Sequence, residues 1–232
     1  MDPFKTARAE TVRYHEQLYA SSSLGSPGSW LAKPHPSVIE AIRLVEGDAA
    51  VDAFDLGCGV GRHAIPMARM LPKGSSVTAV DLLPSAIRRL VDNCTSAGVA
   101  ADVVPVVADL EEFDFGAARA SLVVGFSAIE HVSSPEAMGA LLERCRDATR
   151  SRGVVMFGVL ADRVEVAADG AITEGFVETR LSGDEALRRL EGVFCDWNVI
   201  RREVHPSAAT EQRNGVEHEL RGSLVLFTAR RP

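Results

Sequence analysis

Short apolar runs along the chain alternate with stretches in which apolar side chains return every three or four residues. VDAFDL (51–56), SVTAVDL (76–82), DVVPVVADL (102–110), ASLVVGFS (120–127) and GVVMFGVL (153–160) read as strands. Their apolar residues are nearly continuous, the pattern of strands covered on both faces. Between them HAIPMARML (63–71), PSAIRRLVDNCTSAG (84–98) and PEAMGALLERCRDATR (135–150) carry helical spacing, and Ser133, Ser134, Pro135 and Glu136 mark the start of the last. SVIEAIRLVEG (37–47) predicts one more helix ahead of the first strand, with Ser37 and Glu40 in capping-box spacing and Gly47 near its end.

Beyond Leu160 the rhythm changes. ADRVEVAADGAITEGF (161–176) predicts a loop or short hairpin near the site, and SGDEALRRLEGVF (182–194) a helix capped by Ser182 with Glu185 in box spacing. DWNVIRREVHP (196–206) and HELRGSLVLFTARR (218–231) read as two strands joined by the turn-rich SAATEQRNG (207–215). Together these elements predict an α/β, Rossmann-like fold: a mostly parallel sheet with helices on both faces and an antiparallel C-terminal hairpin. Residues 1–33 are polar and turn-rich yet hold Tyr14, Tyr19 and Trp30, which suits an N-terminal lid or appendage ahead of one domain over 34–232.

A length of 232 residues bounds the answer at one core. The net charge of -7, with no basic stripe interrupted by aromatics, speaks against a nucleic-acid partner. No apolar run approaches the roughly 20 residues of a membrane span, and the N-terminus lacks the apolar segment of a secretory signal, so the expectation is a cytoplasmic protein, monomer or homodimer. Cys58, Cys94, Cys145 and Cys195 have no C-x-x-C spacing, and reduced thiols with no metal site are expected.

FDLGCGVGRHA (54–64) carries the chemistry. In such a sheet a ligand sits where the first strand turns into its helix, and Gly57, Gly59 and Gly61 occupy that turn. A nicotinamide fingerprint needs its third glycine at position 62, which is Arg62. Asp55 adds repulsion toward a pyrophosphate but attraction toward a cation. S-adenosyl-L-methionine, with a sulfonium, an ammonium and no phosphate, fits that asymmetry. Asp81 ends the next strand, where a carboxylate accepts from ribose hydroxyls, and Asp109 lies in the neighbouring loop within reach of an adenine amino group.

These strand ends, with GFSAIEHV (125–132) after the fourth, resemble those of the class I S-adenosylmethionine-dependent methyltransferases, from His35 to the C-terminus. The resemblance implies a seven-stranded sheet with one antiparallel strand. It implies that Asp55, Gly57 and Gly59, with Cys58, Gly61 and Arg62 of the same turn, serve the methionine end. Asp81 and Leu82 would serve the ribose, Asp109 and Leu110 the adenine, and Phe126 and Ser127 the methionine amino group, with S-adenosyl-L-homocysteine as product. PHPSVIEAI, LGCGVGRHA and the C-terminal strands are further similar to the tellurite-resistance (TehB-like) and thiopurine-type enzymes, which implies a small-molecule acceptor with a soft chalcogen or thiol. That group's His-Arg pair in the final hairpin is replaced by Ala209 and Thr210, with His205 and Arg213 flanking. The alternative acceptor is an oxygen or nitrogen of a secondary metabolite, and the alternative to an enzyme a non-catalytic cofactor-binding module. The candidates for a general base are His35 and His131.

Overall fold

The computed structural model describes residues 2–26, 30–47, 49–116, 119–166, 170–173, 177–213 and 216–232. Its helices are α1 (Pro3–Ser21), α2 (Pro36–Arg43), α3 (Ala64–Met70), α4 (Pro84–Ala97), α5 (Pro135–Ala148) and α6 (Gly183–Val193). Its strands are β1 (Asp52–Leu56), β2 (Ser76–Asp81), β3 (Val103–Val107), β4 (Ala120–Phe126), β5 (Thr149–Val166), β6 (Ile172–Thr173), β7 (Asn198–Arg213) and β8 (Val216–Arg230). Seven strands lie in the order β3-β2-β1-β4-β5-β8-β7, and the two-residue β6 pairs with the far end of β5. The first five in that order run parallel, and β8 is antiparallel to both β5 and β7. This is the Rossmann-like arrangement expected, with β6 a small addition to the count of seven.

The continuous apolar runs of β1, β4 and β5 are explained by burial on both sides, whereas the edge strand β3 leaves Val104 and Val107 exposed. Phe54, Leu56, Val123, Val155, Phe157 and Phe227 meet Met138, Leu142, Leu190 and Phe194 of α5, α6 and the turn after α6 on one face. Their neighbours Ala53, Val77, Leu122, Val124 and Met156 meet Ile42, Met67, Ile87 and Leu90 of α2, α3 and α4 on the other. Each fully buried Phe or Leu of this kind contributes about 1.5–3 kcal/mol. Ser134 and Ser182 cap α5 and α6 by accepting from the amides of Ala137 (3.1 Å) and Glu185 (3.2 Å), as their spacing predicts.

Three expectations change. The polar N-terminal stretch is mostly the 19-residue helix α1, which Asp2 caps by accepting from the Phe4 amide. Helix α2 starts at Pro36 and is capped by the His35 ring, so Ser37 is its second residue and not its cap. Ser37 Oγ instead accepts from Arg201, which also pairs with Glu40 at 2.7 Å. The turn-rich stretch 207–213 is strand: β7 pairs with β8 from Asn198↔Arg230 to Arg213↔Val216, because two long strands satisfy each other's backbone groups at every step. The span 161–176 forms the expected hairpin through Val166↔Ile172, while 167–169 and 174–176 lie outside the described residues.

Candidate active site

Register brings the strand ends together. Leu56 pairs with Val80 and with Gly125, so Gly57, Asp81 and Phe126 leave the sheet side by side, and Asp81 pairs with Val107 just before Asp109. A cavity of about 370 Å³ opens there. It runs from Gly57 and Asp109 to Leu220, with α1 forming one wall and β5 and β8 another.

The turn after β1 needs its glycines. Gly57 has φ +67°, and a Cβ on it would stand 2.4 Å from the Ala128 Cβ. Gly59 has φ +52°, and its added Cβ would stand 2.6 Å from the Tyr19 hydroxyl. Tyr19, Leu31, Val60, Leu83 and Ala86 pack as a small cluster that fixes α1 to this turn.

Three carboxylates differ in how they are held. Asp81 accepts from the amides of Gly59 (2.8 Å) and Leu83 (2.9 Å), so it locks the turn, and burial raises its pKa. Asp109 accepts from the Glu111 amide at 3.0 Å and from Arg8 of α1 at 2.5 Å. Asp55 is sealed beneath the turn at 1% exposure, and its Oδ2 has no partner. Burial pushes the Asp55 carboxyl up to about 7, with Asp81 adding to the rise and the Ala64 amide and Arg62 opposing it.

A cluster of cationic and aromatic groups stands beside the turn. Arg62 donates through Nε to the Lys33 carbonyl at 2.7 Å, and its guanidinium lies 5.6 Å from the rings of both Trp30 and Phe126. Phe126 also packs against His35 at 4.5 Å. His35 Nδ1 accepts from the Ser37 amide at 3.3 Å as the α2 cap, and its backbone amide donates to His63 Nε2, also at 3.3 Å. Burial drives His63 down to about 3 and lowers His35 as well, so both rings are neutral acceptors.

At the other end His131 Nδ1 meets Glu178 at 3.1 Å, and that carboxylate is 3% exposed. Thr11 also donates to Glu178, and its carbonyl accepts from His15 Nδ1 at 2.9 Å. The His15 and His131 rings stand 6.3 Å apart at 84°. Arg8 donates to the His131 carbonyl at 2.6 Å, which ties α1 to this corner.

Of the expected cofactor residues, Gly57, Cys58, Gly59, Arg62, Asp81, Leu82, Asp109, Leu110, Phe126 and Ser127 line the cavity, with both base candidates, His35 and His131. Asp55 and Gly61 lie outside its wall. A Cβ on Gly61 would meet Leu90 at 2.8 Å, so that glycine serves the packing of α4. The Cys58 thiol contacts the Gly59 carbonyl at 3.7 Å, and burial raises its pKa, which makes it a packing residue. Sequence reasoning missed Arg8, His15 and Glu178. The first two were findable, because Arg8, Thr11, His15 and Tyr19 repeat at helical spacing and share one face of α1; nothing local distinguishes Glu178. Among the described residues no group of three or more His, Cys, Asp and Glu side chains forms a metal site, and no helix is long and apolar enough to cross a membrane.

The methyltransferase domain family model matches residues 53–153. No curated protein matches the chain. Among solved structures, one from work on the conversion of a disulfide bond into a thioacetal group during echinomycin biosynthesis superimposes with a TM-score of 0.62 at 19% identity, covering 95% of this chain and 92% of that one. TehB from Haemophilus influenzae gives 0.61 at 15% identity, over 85% of this chain and 62% of its own. The N-methyltransferase NodS from Bradyrhizobium japonicum WM9, solved with S-adenosyl-L-homocysteine, gives 0.57 at 14% identity over 96% and 98%. The domain match covers residues 53–153, and the chain as a whole has the methyltransferase fold of these structures. S-adenosyl-L-methionine is the donor that the resemblance of the strand ends implies. The residues present fit that donor: the turn has no room for a Cβ at Gly57, and a buried carboxylate beneath it has an oxygen in want of a cation.

Proposed function

We propose that the protein methylates a small molecule at a protic oxygen or nitrogen, inside the chamber between α1, β5 and β8. The observation that carries this reading is the cavity itself: one space of about 370 Å³ joins the glycine turn to a corner lined by His15, His131 and Glu178. A space of this size suits a small molecule. When bound, the donor supplies an electrophilic methyl group on its sulfonium.

The chain's own residues do the rest. Asp81 accepts from the ribose hydroxyls, Asp109 and Leu110 hold the adenine edge, and Gly57, Gly59, Phe126 and Ser127 border the methionine end. Asp55, below the turn, is charged above about pH 7 and there favours a cation over it. Walls from α1 exclude water and hold the acceptor in line. His35, engaged as a helix cap, supports Phe126 and is not the base. Ala209 lines the cavity with no charge at the position where tellurite-resistance enzymes carry their His-Arg pair, which favours oxygen or nitrogen over a chalcogen. The test is mass spectrometry of the purified protein with S-adenosyl-L-methionine and two panels: hydroxy acids, phenols and amines, against selenite, tellurite and small thiols. O- or N-methylated products are expected, and volatile methylated chalcogens would overturn the choice of atom.

Asp55 offers a second test. Its folded pKa of about 7 exceeds the ordinary 3.8, so its contribution to stability is fully present below pH 3.8 and is lost as pH rises through about 7. The variant Asp55→Asn removes that cost, and the free protein should gain on the order of 2–4 kcal/mol above pH 7 and nothing in acid. The same variant should bind S-adenosyl-L-homocysteine more weakly, because the charge is kept for the ligand. Thermal melts across pH, paired with calorimetric titration, check both; equal stability at all pH values would show that the buried carboxylate carries no strain.

A further inference from the structure

We propose that His15 and His131 divide the acceptor between them: His15 Nε2 takes the proton of its nucleophilic X–H group, and His131, held by Glu178, binds an anionic oxygen of the same molecule. This rests on the small-molecule reading above and narrows it to a substrate class. The acceptor carries a hydroxyl or N–H a few bonds from a carboxylate or a similar oxyanion.

The tautomers follow from the partners. A backbone carbonyl only accepts, so His15 Nδ1, 2.9 Å from the Thr11 carbonyl, must carry a hydrogen. The neutral ring then presents a lone pair at Nε2, which has no protein partner among the described residues while the ring lines the cavity. His131 differs in its acceptor. Its Nδ1 donates to Glu178, a carboxylate 3% exposed that Thr11 also serves, so the ring is oriented and its positive form is matched by a negative charge. Thr11 joins the two halves, its carbonyl fixing His15 and its hydroxyl fixing Glu178.

The charged surroundings reinforce the split. Burial first, then the positive His131 and Arg163 of β5, bring His15 down to about 4, against the Thr11 carbonyl and Glu178, which raise it; the other faces of its ring meet Tyr14, Tyr19 and Trp30. Burial also disfavours the charged form of His131, but the hydrogen bond and charge of Glu178 more than reverse this, while Glu178 is held at about 2. Two like groups whose environments push them apart mark an acid-base division of labour. A base as weak as His15 takes its proton as the new bond forms and not before. A lone pair of X forms the X–CH₃ bond as the pair of the broken C–S bond stays on sulfur; the X–H pair remains on X, and the proton, bound by the Nε2 lone pair, rests there until it returns to solvent.

The states of both rings are readable in the protein without turnover, by ¹⁵N correlation spectroscopy of its histidines, free and with S-adenosyl-L-homocysteine. His15 is expected as the Nδ1–H tautomer with no titration from about pH 5.5 to about pH 8, and His131 as a ring that titrates above 6.5 and loses that rise in Glu178→Gln. An Nε2–H tautomer at His15, or titration of His15 near 6.5, overturns the proposal. Salicylate, which joins a hydroxyl to a carboxylate, should perturb both rings and bind about tenfold or more tighter than benzoate or phenol. Benzoate should move His131 alone. Equal responses to all three probes, or none to salicylate, also overturn it. Failure of the protein to bind S-adenosyl-L-homocysteine would instead count against the functional reading, since the ring states of the free protein decide this one independently.

Discussion

Asp81→Ala weakens S-adenosyl-L-homocysteine binding by roughly 30- to 100-fold in calorimetric titration, the largest loss expected from any single cavity residue. The carboxylate acts twice. One lone pair on each oxygen already holds a backbone amide, Gly59 at 2.8 Å and Leu83 at 2.9 Å, which leaves a second on each for a ribose hydroxyl. Removal takes away two charge-assisted bonds to the ligand and frees the turn that the ligand rests on. Together these amount to about 2–3 kcal/mol after exchange with water. Asp81→Asn keeps one oxygen acceptor and falls between. Unchanged affinity in Asp81→Ala would mean that the ribose lies elsewhere.

Gly57→Ala destabilises the folded protein by about 2–5 kcal/mol, a large part of the 5–15 kcal/mol that ordinary domains possess. Part of the loss is the left-handed backbone at φ +67°, which an L side chain adopts at a cost of about 1–2 kcal/mol. The remainder is contact: the new Cβ would stand 2.4 Å from the Ala128 Cβ. Ala128 has little freedom to retreat, because Ser127 before it is at φ +52° and is tied through its amide to the Gly158 carbonyl at 2.7 Å. Urea midpoints measure the loss. The second change Ala128→Gly should restore the contact part and leave the backbone part, and no recovery in the double variant would refute this division.

The centre of the sheet was legible because β1, β4 and β5 are buried on both faces, and burial writes a continuous apolar signature. The glycine turn and the carboxylates at the strand ends were legible for a related reason: register aligns Leu56, Val80 and Gly125, so sequence position alone places their successors together. Helix α1 was hidden because its buried residues, among them Ala7 and Tyr19, are few, and the polar remainder reads as loop. The α2 cap was missed because a histidine ring took the place of the serine hydroxyl two residues on. Glu178 pairs with His131 across 47 positions, and a contact of that separation comes from the path of the chain and not from any local pattern.

On the proposed reading the long hairpin and α1 supply most of the acceptor end of the chamber. The carboxylates and glycines proposed for the donor fall within residues 53–153, the stretch that matches the methyltransferase model, and so does His131, whereas His15, Arg163, Glu178, Ala209 and Leu220 fall outside it. The matched half is held by the register of the parallel strands. The other half hangs on one N-terminal helix and on strands that outrun the sheet, with Arg8 and Tyr19 tying that helix to Asp109 and to the glycine turn. Such a layout places most of the residues that would choose the acceptor outside the stretch by which the domain is recognised.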